Sequence, residues 1–333
     1  MGIKGFIRSS VVIARRSERV QQKRNRDAAI RYKELLKEQD FTDVAQAIES
    51  YNSYVSILKS VHKDCNDSFS WQEIINEPQP VEPQRKNNNE KEAEKKYLSY
   101  KPSIFDKLLG NKEKKSQNLF AAIDKAKEKD KDEYTSELSL YEDYSETWIK
   151  SQKIAKGVIQ NDDKSYRDAF EYFNPLADVQ ELGTSINLNF ETNNLTATLN
   201  INGENVIPNF VVSQLKTGKL SKKPMPKGQF YELYQDYVCG CVLRIAREIY
   251  AFLPIKMLVI DVKGEILNSV TGHLENMPIL SIAIPKETLD KLNFNNIDPS
   301  DSFRNFKHNM KFAKTSGFQI VDTISVLDLT NKK

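Results

Sequence analysis

Residues 227–265, "KGQFYELYQDYVCGCVLRIAREIYAFLPIKMLVIDVKGE", decide how the second half of this chain must fold. Phe230, Leu233, Tyr234, Tyr237, Val238 and Cys241 begin a run of apolar positions spaced three or four apart, the period of one helical face. Val242, Ile245, Ile249 and Phe252 continue it, and Leu243, Ala246 and Tyr250 widen it. A helix from about Lys227 to Leu253 this apolar belongs at the centre of a domain, packed on a sheet. Pro254 ends it, because proline cannot donate to the helical ladder. "KMLVIDV" at 256–262 then reads as a strand.

The pattern continues on both sides. Downstream, "ILSIAIP" (279–285) is a second strand and "KETLDKL" (286–292) a short helix. "DPSDSFRNF" (298–306) opens another helix, with Asp298 as cap, Pro299 as first helical residue and Phe303 and Phe306 facing inward. "ISVLDL" (324–329) supplies a candidate last strand. Upstream, "SINLNFETNNLTATLNING" (185–203) alternates at period two on both sides of a turn at Thr192–Asn194, a β-hairpin. Between hairpin and helix lies "LKTGKLSKKPMPKGQ" (215–229), read as a loop with five Lys and no acid.

The first half has a different texture. Val44, Ile48, Tyr51, Val55, Leu58 and Val61 mark an amphipathic helix after a polar helical stretch from about Val11 to Lys37. Ser70 and Glu73 form a capping box before a short helix that stops at Pro78. "EPQPVEPQRKNNNEKE" (77–92) is a linker by composition. From Lys112 to about Val158 there is no Pro and no Gly before Gly157, so one helix of roughly 65–70 Å is expected. Its stripe is narrow (Leu119, Ile123, Ala126, Leu138, Tyr141, Tyr144, Trp148), and such a helix needs a partner.

The expected architecture is α+β: a long N-terminal helical, coiled-coil-like arm, followed by a mixed or antiparallel sheet packed on a long central helix. The divisions are 1–76, basic and amphipathic helices; 77–100, linker; 101–175, the long helix pairing with the N-terminal helices; and 183–333, the α+β domain.

Charge is unevenly spread. Residues 1–31 hold nine Lys/Arg against Glu18 and Asp27, a net +7, while the whole chain carries +3, so the remainder is −4. Arg8, Arg15, Arg16 and Arg19, with Lys23, Arg24 and Arg26, suit an acidic surface, whether nucleic acid or an anionic membrane. The stretch is similar in composition to a mitochondrial transit peptide, but the helical pattern runs on past Arg31 without a cleavage signal. Lys216, Lys219, Lys222, Lys223 and Lys227 form a second basic group. Three Cys without framework spacing, no convincing secretory leader and no apolar run near the ~18 residues of a membrane span point to a reducing, cytoplasmic setting.

Several chemistries lack their residues. Glycine-rich phosphate and dinucleotide motifs and the nucleophile elbow are absent. Cys239 and Cys241 point to opposite helix faces, about 200° apart, and so cannot share one metal. His62 and Cys65 have ligand spacing but no second pair, so no metal is assigned. The one catalytic alternative is a Mg²⁺-dependent nuclease, with Asp261 as ligand and Lys263 beside the attacking water on the same strand face. It needs a second carboxylate, for which Glu191, Glu248 and Glu265 come into question. The leading expectation is a non-enzymatic interaction or scaffold protein without cofactor, using its arm for self-association or docking and residues 1–31 and 216–227 for an acidic partner.

Overall fold

The computed structural model describes residues 44–65, 68–102, 111–176, 184–191, 194–201, 206–267 and 270–325. The chain divides into two compact units, Met1–Ser70 with Gly157–Lys333, and Trp71–Lys156. Among the described residues no helix is long and apolar enough to cross a membrane.

The first unit is built on a six-stranded mixed sheet. In chain order its elements are α1 (Val44–Ser60), a 3-10 turn (Val61–Lys63), the end of α4 (Lys112–Ile159), α5 (Asp163–Phe173), β1 (Thr184–Glu191) and β2 (Asn194–Ile201). Then follow β3 (Phe210–Gln214), β4 (Leu220–Pro224), α6 (Lys227–Phe252), β5 (Met257–Leu267) and β6 (Leu274–Pro285). The chain ends with α7 (Lys286–Leu289), α8 (Pro299–Ser302), a 3-10 turn (Phe303–Asn305), β7 (Lys307–Ala313) and β8 (Gly317–Gln319). The sheet order is β1-β2-β5-β6-β7-β8, with β3 and β4 forming a separate ribbon. Among the described strands only β2 and β5 are parallel; α6 lies in the crossover between them.

Register fixes which residues share a face. Leu188, Ala197, Ile260, Ile282 and His308 form one row across five strands, and Ile186, Leu199, Val262, Leu280 and Met310 another. These rows face α6. Tyr234 of α6 packs edge-on against Phe318 of β8, and Tyr250 donates to the Ile284 carbonyl. A side chain on Gly264 would meet Ile279 Cδ1 at 3.0 Å and the Tyr234 hydroxyl at 3.5 Å, so β5 approaches the helix there without one. The helix is more deeply enclosed than its periodicity suggested. Every residue from Tyr237 to Ala246 is buried, because the sheet covers one side while α1, the 3-10 turn after it and α8 cover the other. At roughly 1.5–3 kcal/mol per large aliphatic side chain, this helix is the main source of core stability.

The opposite sheet face carries the row Asn187, Thr198, Asp261, Ser281 and Asn309. Residues 321–325 cross it. There Ile324 packs with Val259, Ala283 and Met257, and Asn309 Nδ2 donates to the Asp322 carbonyl at 2.8 Å. Ile324 and Ser325, the described part of the expected last strand, are not in a strand; the rest of it, 326–329, lies outside the described residues.

Three elements differ from the sequence reading. The Lys-rich "loop" is the β3–β4 ribbon, anchored on α1 by Tyr51, whose hydroxyl donates to the Phe210 carbonyl at 3.0 Å. Strands β7 and β8 follow the "DPSDSFRNF" helix, which is itself a single α-turn continued as 3-10. Helix α1, expected in the arm, packs on α6 and β3 in the sheet-containing unit.

The second unit contains α2 (Trp71–Ile75), α3 (Asn88–Leu98) and most of α4. The segment read as a linker is a strap running antiparallel down the long helix. Gln152 Nε2 donates to the Ile74 carbonyl, Trp148 Nε1 donates to the Glu77 carbonyl at 3.1 Å, and Tyr97 meets Phe120 at 5.6 Å between ring centroids. Within this unit α3 and the strap are thus the described partners of α4. The narrow stripe named from sequence is the less exposed side of α4. Phe120, Leu140 and Ile149 remain exposed on the helix.

Candidate functional site

Asp261 and Lys263 do share one face of β5, the face turned away from α6. Asp261 lies between Thr198 and Ser281, and the Ser281 hydroxyl donates to its Oδ1 at 2.6 Å. The same hydroxyl oxygen accepts from the Ile324 backbone N–H at 2.8 Å. Burial pushes the Asp261 carboxyl above its usual range, against the opposing effects of Ser281 and Lys263. Of the carboxylates considered as its partner, Glu248 and Glu265 are elsewhere. Glu248 is buried on α6, on the other side of the sheet, 3.7 Å from Arg244. Glu265 shares the face but lies four residues along the strand, about 13 Å away. Glu191 ends β1 opposite Asn194. Among the described residues no group of three or more His, Cys, Asp and Glu is placed to hold a metal.

Cys239 and Cys241 are both fully buried, so Cys239, expected off the apolar stripe, is in the core as well. Burial raises both thiols, Cys241 to about 12 despite the opposing Tyr237 and Arg244. His62 is packed over Gly240, and neither ring nitrogen has a hydrogen-bond partner among the described residues.

The basic residues of 1–31, Arg8 through Arg26, lie outside the described residues. The second basic group is described. Lys216 and Lys219 sit at the tip of the β3–β4 ribbon, Lys222 and Lys223 on β4, and Lys227 at the start of α6. All five are exposed. None forms an ion pair among the described residues, and residues 210–227 contain no acid. Lys222 Nζ lies 4.0 Å from the centre of the Phe210 ring, a cation–π contact that holds one ammonium against the ribbon. Lys222 and Lys223, adjacent on a strand, point to opposite faces. Phe230 and Tyr231, the aromatics nearest in sequence, pack edge-to-face on each other at 5.4 Å and are half-buried.

A concave site escaped the sequence reading. A cleft of about 550 Å³ opens where α1, the first turns of α6, the α8 region and β7 meet. Tyr51, Val55 and Lys59 enter from one face of α1, and Glu232, Leu233 and Asp236 from one face of α6. Asp298 and Ser300 come from the capped start of α8, and His308 and Met310 from β7. Asp298 Oδ1 accepts from the Asp301 N–H at 2.9 Å and the Ser300 hydroxyl at 2.8 Å. Burial raises Asp236 to about 6, reinforced by Asp298 and Glu232 and opposed by Lys59 and a hydrogen bond with Ser300. In the sequence Asp298 is legible only as a helix cap, and Asp236 is not singled out. The signal for it is a carboxylate one turn from buried Leu233 and Gly240, inside the apolar face.

Comparison with protein families, curated proteins and solved structures found no match to this chain.

Proposed function

We propose that this protein works by binding, as an interaction or scaffold protein, with the β3–β4 ribbon engaging an acidic partner and the Trp71–Lys156 unit serving as a docking arm. The observation that carries the reading is the ribbon with the start of α6: four exposed ammonium groups on the ribbon and a fifth, Lys227, just after it, all within 18 residues (210–227) and none neutralised by an acid of its own segment. Like charges held so close repel one another, and a polyanion relieves that repulsion while releasing its own counterions. Nucleic acid is the polyanion this chemistry fits. Lysines distributed over the tip and both faces of a ribbon contact phosphates and carry no base preference, and the neighbouring aromatics are packed together rather than presented for stacking. The basic residues of 1–31 would add to the same attraction. Phe120, Leu140 and Ile149, exposed on α4, support docking through the arm.

The test is fluorescence anisotropy of a labelled 20-base-pair duplex, about two helical turns. The triple variant Lys216→Gln, Lys219→Gln, Lys223→Gln is expected to bind at least tenfold more weakly than the wild type. Deletion of residues 1–31 is expected to weaken binding further. Equal binding by wild type and triple variant would remove the ribbon from the proposal.

A further inference from the structure

We infer that the cleft between α1, α6, α8 and β7 is a binding site for a small organic cation, an ammonium group on an aliphatic body, with Asp236 as its anchor. The cleft is a concave volume of about 550 Å³ whose lining is mostly polar and charged, interrupted by a few apolar side chains. Val55, Leu233, Met225 and Met310 provide aliphatic and thioether surface. Thioethers adapt their shape to an alkyl chain.

The charges sort themselves by pairing. Glu232 is ion-paired to Lys314, and Asp301 to Arg304 at 3.1 Å. These pairs line the rim and satisfy each other. Asp236, half-buried, and Asp298, exposed, are left without an ion pair among the described residues and share the Ser300 hydroxyl. That hydroxyl has one hydrogen, which it gives to Asp298, so it does not serve both carboxylates when both are ionised. Lys59 is the cation that acts electrostatically on Asp236, and it is exposed at the end of α1, with no ion pair among the described residues. His308 commits Nδ1 to the Phe306 carbonyl at 3.0 Å.

A second observation concerns a buried group near Asp298 that does not line the cleft. His62 is 2% exposed, is within electrostatic range of Asp298, and has no hydrogen-bond partner among the described residues on either ring nitrogen. It would be the natural internal counter-ion. Burial, with Lys63 and Arg247 beside it, instead favours its neutral form over the pull of Asp298 and Asp64. The cleft therefore keeps the half-buried Asp236 beside the exposed Asp298 and, among the described residues, no cation paired with either. An ammonium entering from solvent supplies the missing charge beside the Asp236 carboxylate, which is ionised at pH 7.5 and gains its proton only below about 6.

The experiment is isothermal titration calorimetry of the full chain with 1,4-diaminobutane, and with glutarate as the anionic counterpart. At pH 7.5 the diamine is expected to bind saturably at one site, and glutarate not at all. Asp236→Asn, which keeps the shape of the side chain, is expected to weaken diamine binding at least tenfold with an unchanged circular dichroism spectrum. Lowering the pH to 5.0 is expected to weaken wild-type binding roughly tenfold, as Asp236 gains its proton, and binding by the Asp236→Asn variant much less. Lys59→Gln, at an exposed position, is expected to tighten binding by removing the competing ammonium. No saturable binding up to about 10 mM diamine, equal affinity in Asp236→Asn, or comparable binding of glutarate would overturn the assignment. None of these results bears on duplex binding by the ribbon, so the two proposals fail separately.

Discussion

Asp130 of α4 caps α3 from outside it, through Asn89. One carboxylate oxygen of Asp130 accepts the Asn89 backbone N–H at 3.1 Å and its side-chain amide at 2.7 Å, and the other accepts the Glu90 N–H at 2.8 Å. Asn87, the residue at the cap position of α3, makes no side-chain capping bond of its own. The first N–H groups of a helix need acceptors, and here they come from a residue 40 and 41 positions away. Burial alone would raise the Asp130 carboxyl. The Glu90 and Asn89 donors and Lys129 hold it below its usual range instead.

Asp130→Ala is therefore expected to release the strap without unfolding the first unit. Helical ellipticity should fall by about the contribution of α3, an 11-residue helix, and trypsin should cut faster at Lys91, Lys95 and Lys96. Unchanged proteolysis would show that the strap is held by its other contacts, at Trp148 and Gln152.

Ser281 joins Asp261 to the 321–325 segment, so Ser281→Ala leaves a buried N–H of Ile324 and a half-buried carboxylate short of a partner. It is expected to lower stability to urea by about 1–3 kcal/mol. Lys263→Ala, at a half-buried position with no hydrogen bond or ion pair among the described residues, is expected to change it by under about 0.5 kcal/mol. The reverse order would restore Lys263 as the more constrained residue and favour the nuclease geometry.

Asp236 binds its proton more tightly folded than unfolded, its carboxyl rising from 3.8 to about 6. Between those values the native state holds more protons than the unfolded one, so stability falls as pH rises from about 4 to above 6. Asp236→Asn removes that loss. It is expected to be more stable than wild type at pH 7.5 by about 1 kcal/mol, allowing for partial exposure, and equal to it near pH 4. A stability difference that does not change with pH would place the Asp236 carboxyl in water.

Gly317 has φ +78°, and a side chain there would come within 2.7 Å of the Tyr231 ring. Gly317→Ala is expected to cost about 1–3 kcal/mol. Adding Tyr231→Ala should recover the steric part and leave the backbone part. A neutral Gly317→Ala would mean that the β7–β8 turn is free to shift.

Much of this fold was legible because its determinants are local. The period of α6, the alternation of β1 and β2, the unbroken run of α4 and the Asp298–Pro299 start are each written within one segment. The β3–β4 ribbon was not. "LSKKP" has a single aliphatic residue, and it is a strand because Phe210–Gln214, itself seated on α1, pairs with it. Helix α3, "NNEKEAEKKYL", buries no residue of its own and takes its cap from α4. The depth of Cys239 depends on three elements enclosing α6, which periodicity on one helix does not report. The cleft is the extreme case. Lys59, Asp236 and Asp298 come from segments far apart in sequence, and nothing in any one of them signals the others.

The central claim, that the ribbon binds a polyanion through its lysines, is tested most directly by the salt dependence of duplex binding. Plotted as log K against log salt concentration, the wild type should give a steep negative line. The Lys216→Gln, Lys219→Gln, Lys223→Gln variant should give a slope shallower by roughly 2–3, about 0.9 for each phosphate contact removed. Parallel lines for the two proteins, or no binding by the wild type at low salt, would contradict it.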